Sequence, residues 1–492
     1  MHKRTAIIDI GSNSARLAIY EQSSRYGFKL ICEQKSKVRI GEGAYNNGGL
    51  LQPVGIKRAY NALSSFKQTI ENYKAYKIIC VATSALRDAP NSKDFIQLIK
   101  DKLKLDIKVI DGKKEAYYGG IATLNLLTKK DLITVDIGGG SSDMTLIRNG
   151  RIEDTYSLNL GTVRLKELFF DNNEKIEEAK EFIKQELSNL PKSFKQETVV
   201  AIGGSARTIA NVIIQRSNYP LNKLHGFKYR LNEYEEFLDS IVSSNMDNLK
   251  SFEISPDRYD TIREGILIFL EIAKHIEAKN VITSGVGVRE GVFLTHFLKN
   301  SNLKFPNNIN PSMQNILDRF NSPMGVKLAS QKRQAIKKLA EIFSSNFEIK
   351  KIYMQELQNA ITMSEIGKNL TIYKAHKHSF YIALEELNYG FTHKQIILTA
   401  LLLRVGKKAK IKQSVYKKFK SILPSKNILK WHAFLYSITL SIFEFSDDAK
   451  IRFKFTDHTL FIISDKPLYL LREVLKEIEK PADFKIEVID SK

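Results

Sequence analysis

The sequence predicts an α/β protein in which two similar α/β domains face each other across a cleft, followed by a mainly helical domain with a small terminal β element. Three observations carry this reading. Short β-branched runs alternate with longer helical patterns over the first 300 residues, as in α/β architectures with partly parallel sheets. The segments Ala6-Ile-Ile-Asp-Ile-Gly-Ser-Asn-Ser and Ile133-Thr-Val-Asp-Ile-Gly-Gly-Gly-Ser-Ser read as two copies of one unit, a strand ending in Asp followed by a Gly/Ser turn and a second strand. Their offset of 127 residues, from Asp9 to Asp136, is a domain length rather than a solenoid period. Finally, Asn302 to Pro311 holds two prolines and four asparagines, the texture of a linker. The expected domains are therefore residues 1–122, 123–298 and 312–492.

Taken in order, strands are expected at Thr5–Ile10, Leu17–Tyr20, Ile78–Ala82, Ile107–Ile110, Leu132–Asp136, Met144–Arg148, Val199–Ile202 and Asn280–Thr283. Each is a short β-branched run. Helical patterns cover Gly55–Tyr73, Ser92–Leu103, Glu115–Leu127, Glu174–Leu187 and Tyr259–Ile276. Beyond the linker the pattern is helical to about Phe445, and alternation at Ile451-Arg-Phe-Lys-Phe and a Leu460–Ile463 run suggest the terminal β element.

Composition excludes several classes. A chain of 492 residues with 43% hydrophobic residues, 26 Gly and 11 Pro is neither collagenous nor broadly disordered. Two cysteines exclude a disulfide scaffold, and Cys80, inside the apolar run Ile78–Val81, reads as a small buried hydrophobe in a reducing, cytoplasmic compartment. No signal-peptide core precedes Asp9, and the longest apolar stretch elsewhere, Ile396 to Leu403, is too short to span a bilayer. No membrane partner is expected. The net charge of +22 attracts polyanions. Arg404 to Lys420 carries eight Lys/Arg among 17 residues, either a solvated helix face or a polyanion-binding surface.

The chemistry concentrates in the repeated turns. Glycines at Gly138, Gly139 and Gly140, and in the turn after Asp9, let backbone N–H groups converge into an anion nest. Ser12, Asn13, Ser14, Ser141 and Ser142 add neutral donors. Asp9 and Asp136 end the preceding strands, where a carboxylate can hold Mg²⁺ or its waters against phosphate oxygens. Gly203-Gly204-Ser205 and Ser284-Gly285-Val286-Gly287 are further glycine turns, suited either to strand–helix packing or to ligand contact. Arg207 beside the former suits phosphate better than adenine. Arg87 follows a strand with a guanidinium that can fork two phosphate oxygens or pair with Asp88 or Asp94, and Arg16 is a weaker candidate of the same kind. Glu115 opens a helix, a position that by itself needs only helix-dipole stabilisation.

Together, Asp9-Ile-Gly-Ser-Asn-Ser, Ala82 to Asn91, Glu115-Ala116, Asp136 to Asp143, Leu160-Gly161 and Arg289-Glu290-Gly291 closely resemble the exopolyphosphatase/guanosine pentaphosphate phosphatase family. The resemblance implies two duplicated actin- and hexokinase-like (ribonuclease H-like) ATPase-type domains and, from Glu365-Ile-Gly, His376-Lys-His-Ser and Leu387-Asn-Tyr-Gly-Phe, an HD-like helical third domain. It assigns Glu115 as the general base, Asp136 and Asp143 to the Mg²⁺ environment, and Asn13, Arg87, the two glycine turns and Ser141 to phosphate contacts. Lys114 stands where the family usually has Glu, and Asp143 likewise replaces a Glu, one methylene shorter and suited to reach a metal through water. Ser364-Glu365 replaces the HD pair, so no second metal centre is expected.

The implied activity is Mg²⁺-dependent release of terminal phosphate from inorganic polyphosphate, from guanosine pentaphosphate, or from both. The competing readings are an ATP-dependent phosphotransferase on the same fold and a non-catalytic polyphosphate or nucleotide sensor. No specific nucleic-acid partner is expected, and homodimerisation is left open.

Overall fold

The computed structural model describes residues 3–44, 46–171, 175–320, 326–347, 349–444 and 449–490. The chain forms two compact units, Met1–Pro311 and Ser312–Lys492.

The first unit contains two mixed sheets built to one plan. β1 (Arg4–Ile10) and β2 (Ala15–Gln22) form an antiparallel hairpin, flanked by antiparallel β3 (Phe28–Ser36) on one side and parallel β4 (Lys77–Ala82) and β5 (Ile107–Val109) on the other. The second sheet repeats this with β6 (Leu132–Ile137), β7 (Ser142–Arg148), β8 (Arg151–Leu158), β9 (Thr198–Ile202) and β11 (Asn280–Thr283), and adds the short β10 (Lys228–Arg230) at its edge. The duplication read from the two Asp-Ile-Gly segments extends to register: Asp9 faces Arg16 across the first hairpin, and Asp136 faces Asp143 across the second. Both sheets bury near-continuous apolar runs, with Ile8, Ile10 and Leu17 in one core and Ile133, Val135 and Val199 in the other, because helices cover their parallel strands. Cys80 lies in the first core, and both cysteines are free thiols.

The expected division between residues 122 and 123 falls inside the helix Gly112–Leu126. That helix packs on the second sheet: a Cβ at Gly120 would lie 2.7 Å from Thr145 Cγ2 and 2.9 Å from Ile152 Cδ1. Conversely, the helix Val288–Phe297 returns toward the first lobe, where Phe293 stacks on Tyr20 of β2 at 4.2 Å. The two helices meet with no room for a side chain, since a Cβ at Gly291 would lie 1.9 Å from the Tyr118 carbonyl oxygen. Gly291→Ala is therefore expected to separate the helix bearing Glu115 from its neighbour and to destabilise the protein by about 1–3 kcal/mol or more, read as a lower urea midpoint.

The second unit is helical around Phe343, Phe434 and Trp431, with Trp431 stacked on Phe484. It ends in a three-stranded sheet of β12 (Ile451–Thr456), β13 (Thr459–Ser464) and β14 (Lys485–Asp490). Glu365, at the position resembling an HD aspartate, pairs with Lys332 at 3.5 Å and Lys368 at 3.1 Å.

Candidate active site

Each repeated turn closes with the same hydrogen bond. Gly11 N–H donates to the Ser14 carbonyl (3.1 Å) and Gly138 N–H to the Ser141 carbonyl (2.9 Å). The turns face one another in contact, because a Cβ at Gly139 would sit 2.9 Å from Ser12 Cβ and 3.3 Å from the Asn13 nitrogen. A second layer fixes the Gly138–Gly140 turn. Thr162 and Val163 N–H donate to the Gly138 and Gly139 carbonyls, and Gly161 lies so close that a Cβ would be 2.3 Å from the Gly139 oxygen. Between the turns lies a cavity of about 150 Å³, lined by both of them, by Gly203–Ser205 and Gly285–Gly287, and by Asp9, Glu115 and Asp136.

The carboxylates are held at high proton affinity by their surroundings. Burial pushes Asp136 up to about 6 against the pull of Arg207, and Asp9 is raised by burial too. Glu115 is raised well above the ordinary carboxylate range by burial and by repulsion from Asp143, with Arg87 opposing. Four acids sharing one buried region repel one another, and a divalent cation or a shared proton relieves that.

Cations line the same cleft. Arg16, Arg207, Arg258, Lys35 and Lys37 all face the cavity, and Arg16 is depressed to about 10 by burial and by repulsion from Arg207 and Arg289. Arg289 is anchored to Glu33 at 2.6 Å. Guanidiniums crowded against one another are stabilised by multivalent anions, whose oxygens can accept several forked hydrogen bonds. Polar contacts also tie the cleft's rims together: Arg39 to Asp260 at 2.8 Å, Gly43 N–H to Glu167 at 2.8 Å and Arg164 to Asp88 at 3.4 Å.

Most of the expected site residues converge here: Asp9, Ser12, Asn13, Ser14, Arg16, Glu115, Asp136, Gly138, Gly139, Gly140, Ser141, Gly203, Gly204 and Ser205 all line the cavity. Three do not. Ser142 is buried and donates to the Leu160 carbonyl at 2.6 Å, so β7 alternation turns it into the packing of the turn rather than toward the cleft. Arg87 lies behind Glu115, donating to its Oε2 at 3.3 Å and to the Ile110 carbonyl at 3.2 Å while pairing with Asp88. Its contact is with the acid and not with the cavity. Asp143 accepts from Ser157 Oγ at 2.6 Å and Ser141 Oγ at 3.2 Å, so two hydroxyls occupy the carboxylate expected near a metal.

Asp143 yields a stability test. Burial, countered by the Ser157 hydrogen bond, raises it to about 7, so between its ordinary value near 4 and about 7 the native state binds a proton that the unfolded chain has released. That contribution to stability is lost as pH rises through this window. Asp143→Asn is therefore expected to gain stability relative to the parent as pH is raised from 4 to 7.5, checked by paired melting curves.

Lys35, Lys37 and Arg258 were not legible as site residues. Lys35 lies in β3, a strand whose charged alternation resembles an exposed edge, Lys37 follows just beyond the strand's end, and Arg258 lies over Gly204, where a Cβ would meet its Nη2 at 2.4 Å. The i, i+2 spacing of the lysines was the available signal.

The chain is similar to several known proteins. A model described as the Ppx/GppA phosphatase family matches residues 18–300. The bifunctional 3-dehydroquinate synthase/phosphatase of Fusobacterium nucleatum subsp. nucleatum is 33% identical over 297 residues, 57% of this chain; the chain thus spans only 44% of that relative's length. A guanosine-5'-triphosphate,3'-diphosphate pyrophosphatase of Pseudoalteromonas translucida is 26% identical over 414 residues, covering 80% of this chain and 79% of that protein. The crystal structure of the Aquifex aeolicus member of the Ppx/GppA protein family superposes with a TM-score of 0.52 at 29% identity, over 61% of this chain and 99% of that one. An exopolyphosphatase from Cytophaga hutchinsonii shares the fold with a TM-score of 0.56 at 22% identity, over 62% of this chain and 100% of that one. Two facing glycine turns on duplicated α/β lobes, a buried acid between them and a family match across both lobes place this chain in the Ppx/GppA phosphatase family.

Proposed function

We propose that this chain is a Mg²⁺-dependent phosphoanhydride hydrolase that releases terminal orthophosphate from inorganic polyphosphate, from guanosine pentaphosphate to leave the tetraphosphate, or from both. The observation that carries the reading is Glu115, a buried acid of raised proton affinity lining a cavity walled by two facing glycine turns. The Pseudoalteromonas relative favours the nucleotide, and the net charge of +22 favours the longer polyanion. The reading includes a cytoplasmic site of action. It also takes the second unit as HD-like in form but without a metal centre, since Ser364 offers no imidazole and Glu365 is ion-paired.

Terminal phosphate oxygens accept from the backbone N–H groups of the two turns, from Ser12 and from the forks of Arg16 and Arg207. These donors need no rearrangement as charge moves onto the transferring phosphoryl group. Glu115, oriented by Arg87, accepts a proton from the attacking water while the water oxygen bonds to the terminal phosphorus and the bridging P–O bond breaks. The shortened chain leaves with the bridging oxygen, its charge countered by the cleft's cations.

The donor set fits Mg²⁺. Asp9 and Asp136 are hard carboxylates at strand ends, and Asp136 lies beneath Gly203 and Gly287, where side chains would crowd its oxygens: a Cβ would be 3.0 Å from Oδ1 and 3.3 Å from Oδ2. Among the described residues no group of three or more His, Cys, Asp or Glu converges with metal-ligand spacing, which suits an ion that takes one or two carboxylates and completes its shell with water and substrate phosphate. When bound, Mg²⁺ supplies charge neutralisation at the phosphate oxygens.

Orthophosphate release measured in parallel on long polyphosphate, tripolyphosphate, guanosine pentaphosphate and ATP, with and without Mg²⁺, tests the assignment. Mg²⁺-dependent release from polyphosphate or pentaphosphate is expected. Transfer from ATP to an acceptor without release, or binding without turnover, would favour the phosphotransferase or the sensor.

A further inference from the structure

The steepest charge asymmetry outside the cleft lies in the second unit. From Leu387 to Phe443 there are eleven Lys/Arg, ten of them Lys, and no Asp or Glu; from Ile366 to Leu384 there are three Lys and two His, again with no acid. The fold brings the two stretches together. A Cβ at Gly406 would lie 3.3 Å from His376 Cγ, and Lys377 feels the repulsion of Lys374, Lys412 and Arg404. Lys407 and Lys408 are taken up by Glu444 and Glu477, whereas among the described residues Lys374, Lys377, Lys410 and Lys412 have no ion-pair partner.

Beside these cations the chain presents apolar side chains to water. Leu370 is 59% exposed, Ile372 73% and Tyr373 77%, and the turn ends on Lys374 in a left-handed conformation at φ 55°. Tyr381, also 64% exposed, follows Lys377 by one helical turn on the same face of the helix Ala375–Glu386. An exposed aliphatic and tyrosine tip that runs directly into Lys374 and the Lys377–Lys412 cluster is an unusual arrangement to leave in solvent.

We propose that this face docks on an anionic lipid bilayer, with the Leu370–Tyr373 tip entering the headgroup region and Lys374, Lys377 and Lys412 lying against acidic headgroups. The absence of a long apolar helix does not bear on such surface adsorption. A nucleic acid would satisfy the lysines but offers Leu370 and Ile372 no apolar surface, and a second copy would set like charges against each other. A bilayer interface accepts all three components: aliphatic tip, amphipathic tyrosines and lysines.

The test is co-sedimentation of the full chain with phosphatidylcholine vesicles, with and without phosphatidylglycerol. Binding only to the anionic vesicles is expected. Near the surface each lysine contributes a factor of about five, so Lys374→Gln/Lys377→Gln/Lys412→Gln should lower the partition coefficient by at least tenfold. Ile372→Asp should lower it by about tenfold or more at a net-charge cost of one, and Ile372→Ser, which removes the apolar contact at constant charge, should lower it severalfold at high salt. All are surface changes, and unaltered melting curves confirm folding. Binding insensitive to Ile372→Ser would overturn the proposal in favour of generic electrostatic adsorption. Loss of single-stranded RNA binding or of dimerisation in these variants, without vesicle binding by the parent, would overturn it equally.

Discussion

Replacing Glu115 by Gln is expected to lower turnover by at least about a hundredfold while leaving polyphosphate affinity nearly unchanged. The amide keeps the shape and can still engage its neighbours, but it cannot take a proton from water, and general-base contributions run ~10²–10⁴-fold. Affinity should survive because the proposed phosphate donors are the turn amides, Ser12 and the arginines lining the cavity. Removing an acid from a site crowded with Asp9, Asp136 and Asp143 could even tighten anion binding. Arg87→Met should mimic part of this loss through kcat, since Arg87 reaches Glu115 at 3.3 Å and does not line the cavity. Near-normal turnover of Glu115→Gln at saturating substrate and Mg²⁺ would reduce Glu115 to a helix-start residue and direct the search for the base to Asp9.

Asp136→Asn is expected to fail differently, losing activity together with its response to Mg²⁺. Weakening outer-shell partners of a metal typically costs 10–100-fold in affinity, so losing a carboxylate that itself holds the ion should cost at least about 100-fold. The parent should show a related pH effect. Asp136 is pushed up to about 6 by burial; below that pH it takes a proton and loses the charge that attracts the cation. Half-saturating Mg²⁺ should therefore rise as pH falls from 7.5 to 5.5, and a constant value would argue against Asp136 as a ligand.

The turns were legible because glycine and a strand-end aspartate leave an unambiguous local pattern, and because that pattern occurs twice. The register pairing Asp9 with Arg16 and Asp136 with Asp143 follows from connecting turns of equal length, Gly11–Ser14 and Gly138–Ser141. What sequence spacing could not supply was direction. Whether Ser142 points into the cleft or into the packing depends on the pleat of β7, and whether Arg87 meets phosphate or Glu115 depends on how two separate helices approach. β3 and β8 escaped for a different reason: their charged, half-exposed alternation lacks the apolar run by which strands such as β1 and β6 were recognised. The lobe boundary was hidden because the Gly112–Leu126 helix continues without a break while it packs on the second sheet.

Hydrolysis in ¹⁸O-labelled water tests the central claim most directly, because it reports which phosphorus the water attacks. Attack on the terminal phosphorus by a water that Glu115 deprotonates places one solvent oxygen in each released orthophosphate and none in the shortened chain, and Glu115→Gln should suppress that label in parallel with turnover. Label appearing at the new end of the shortened chain, or orthophosphate released without solvent oxygen, would contradict the account.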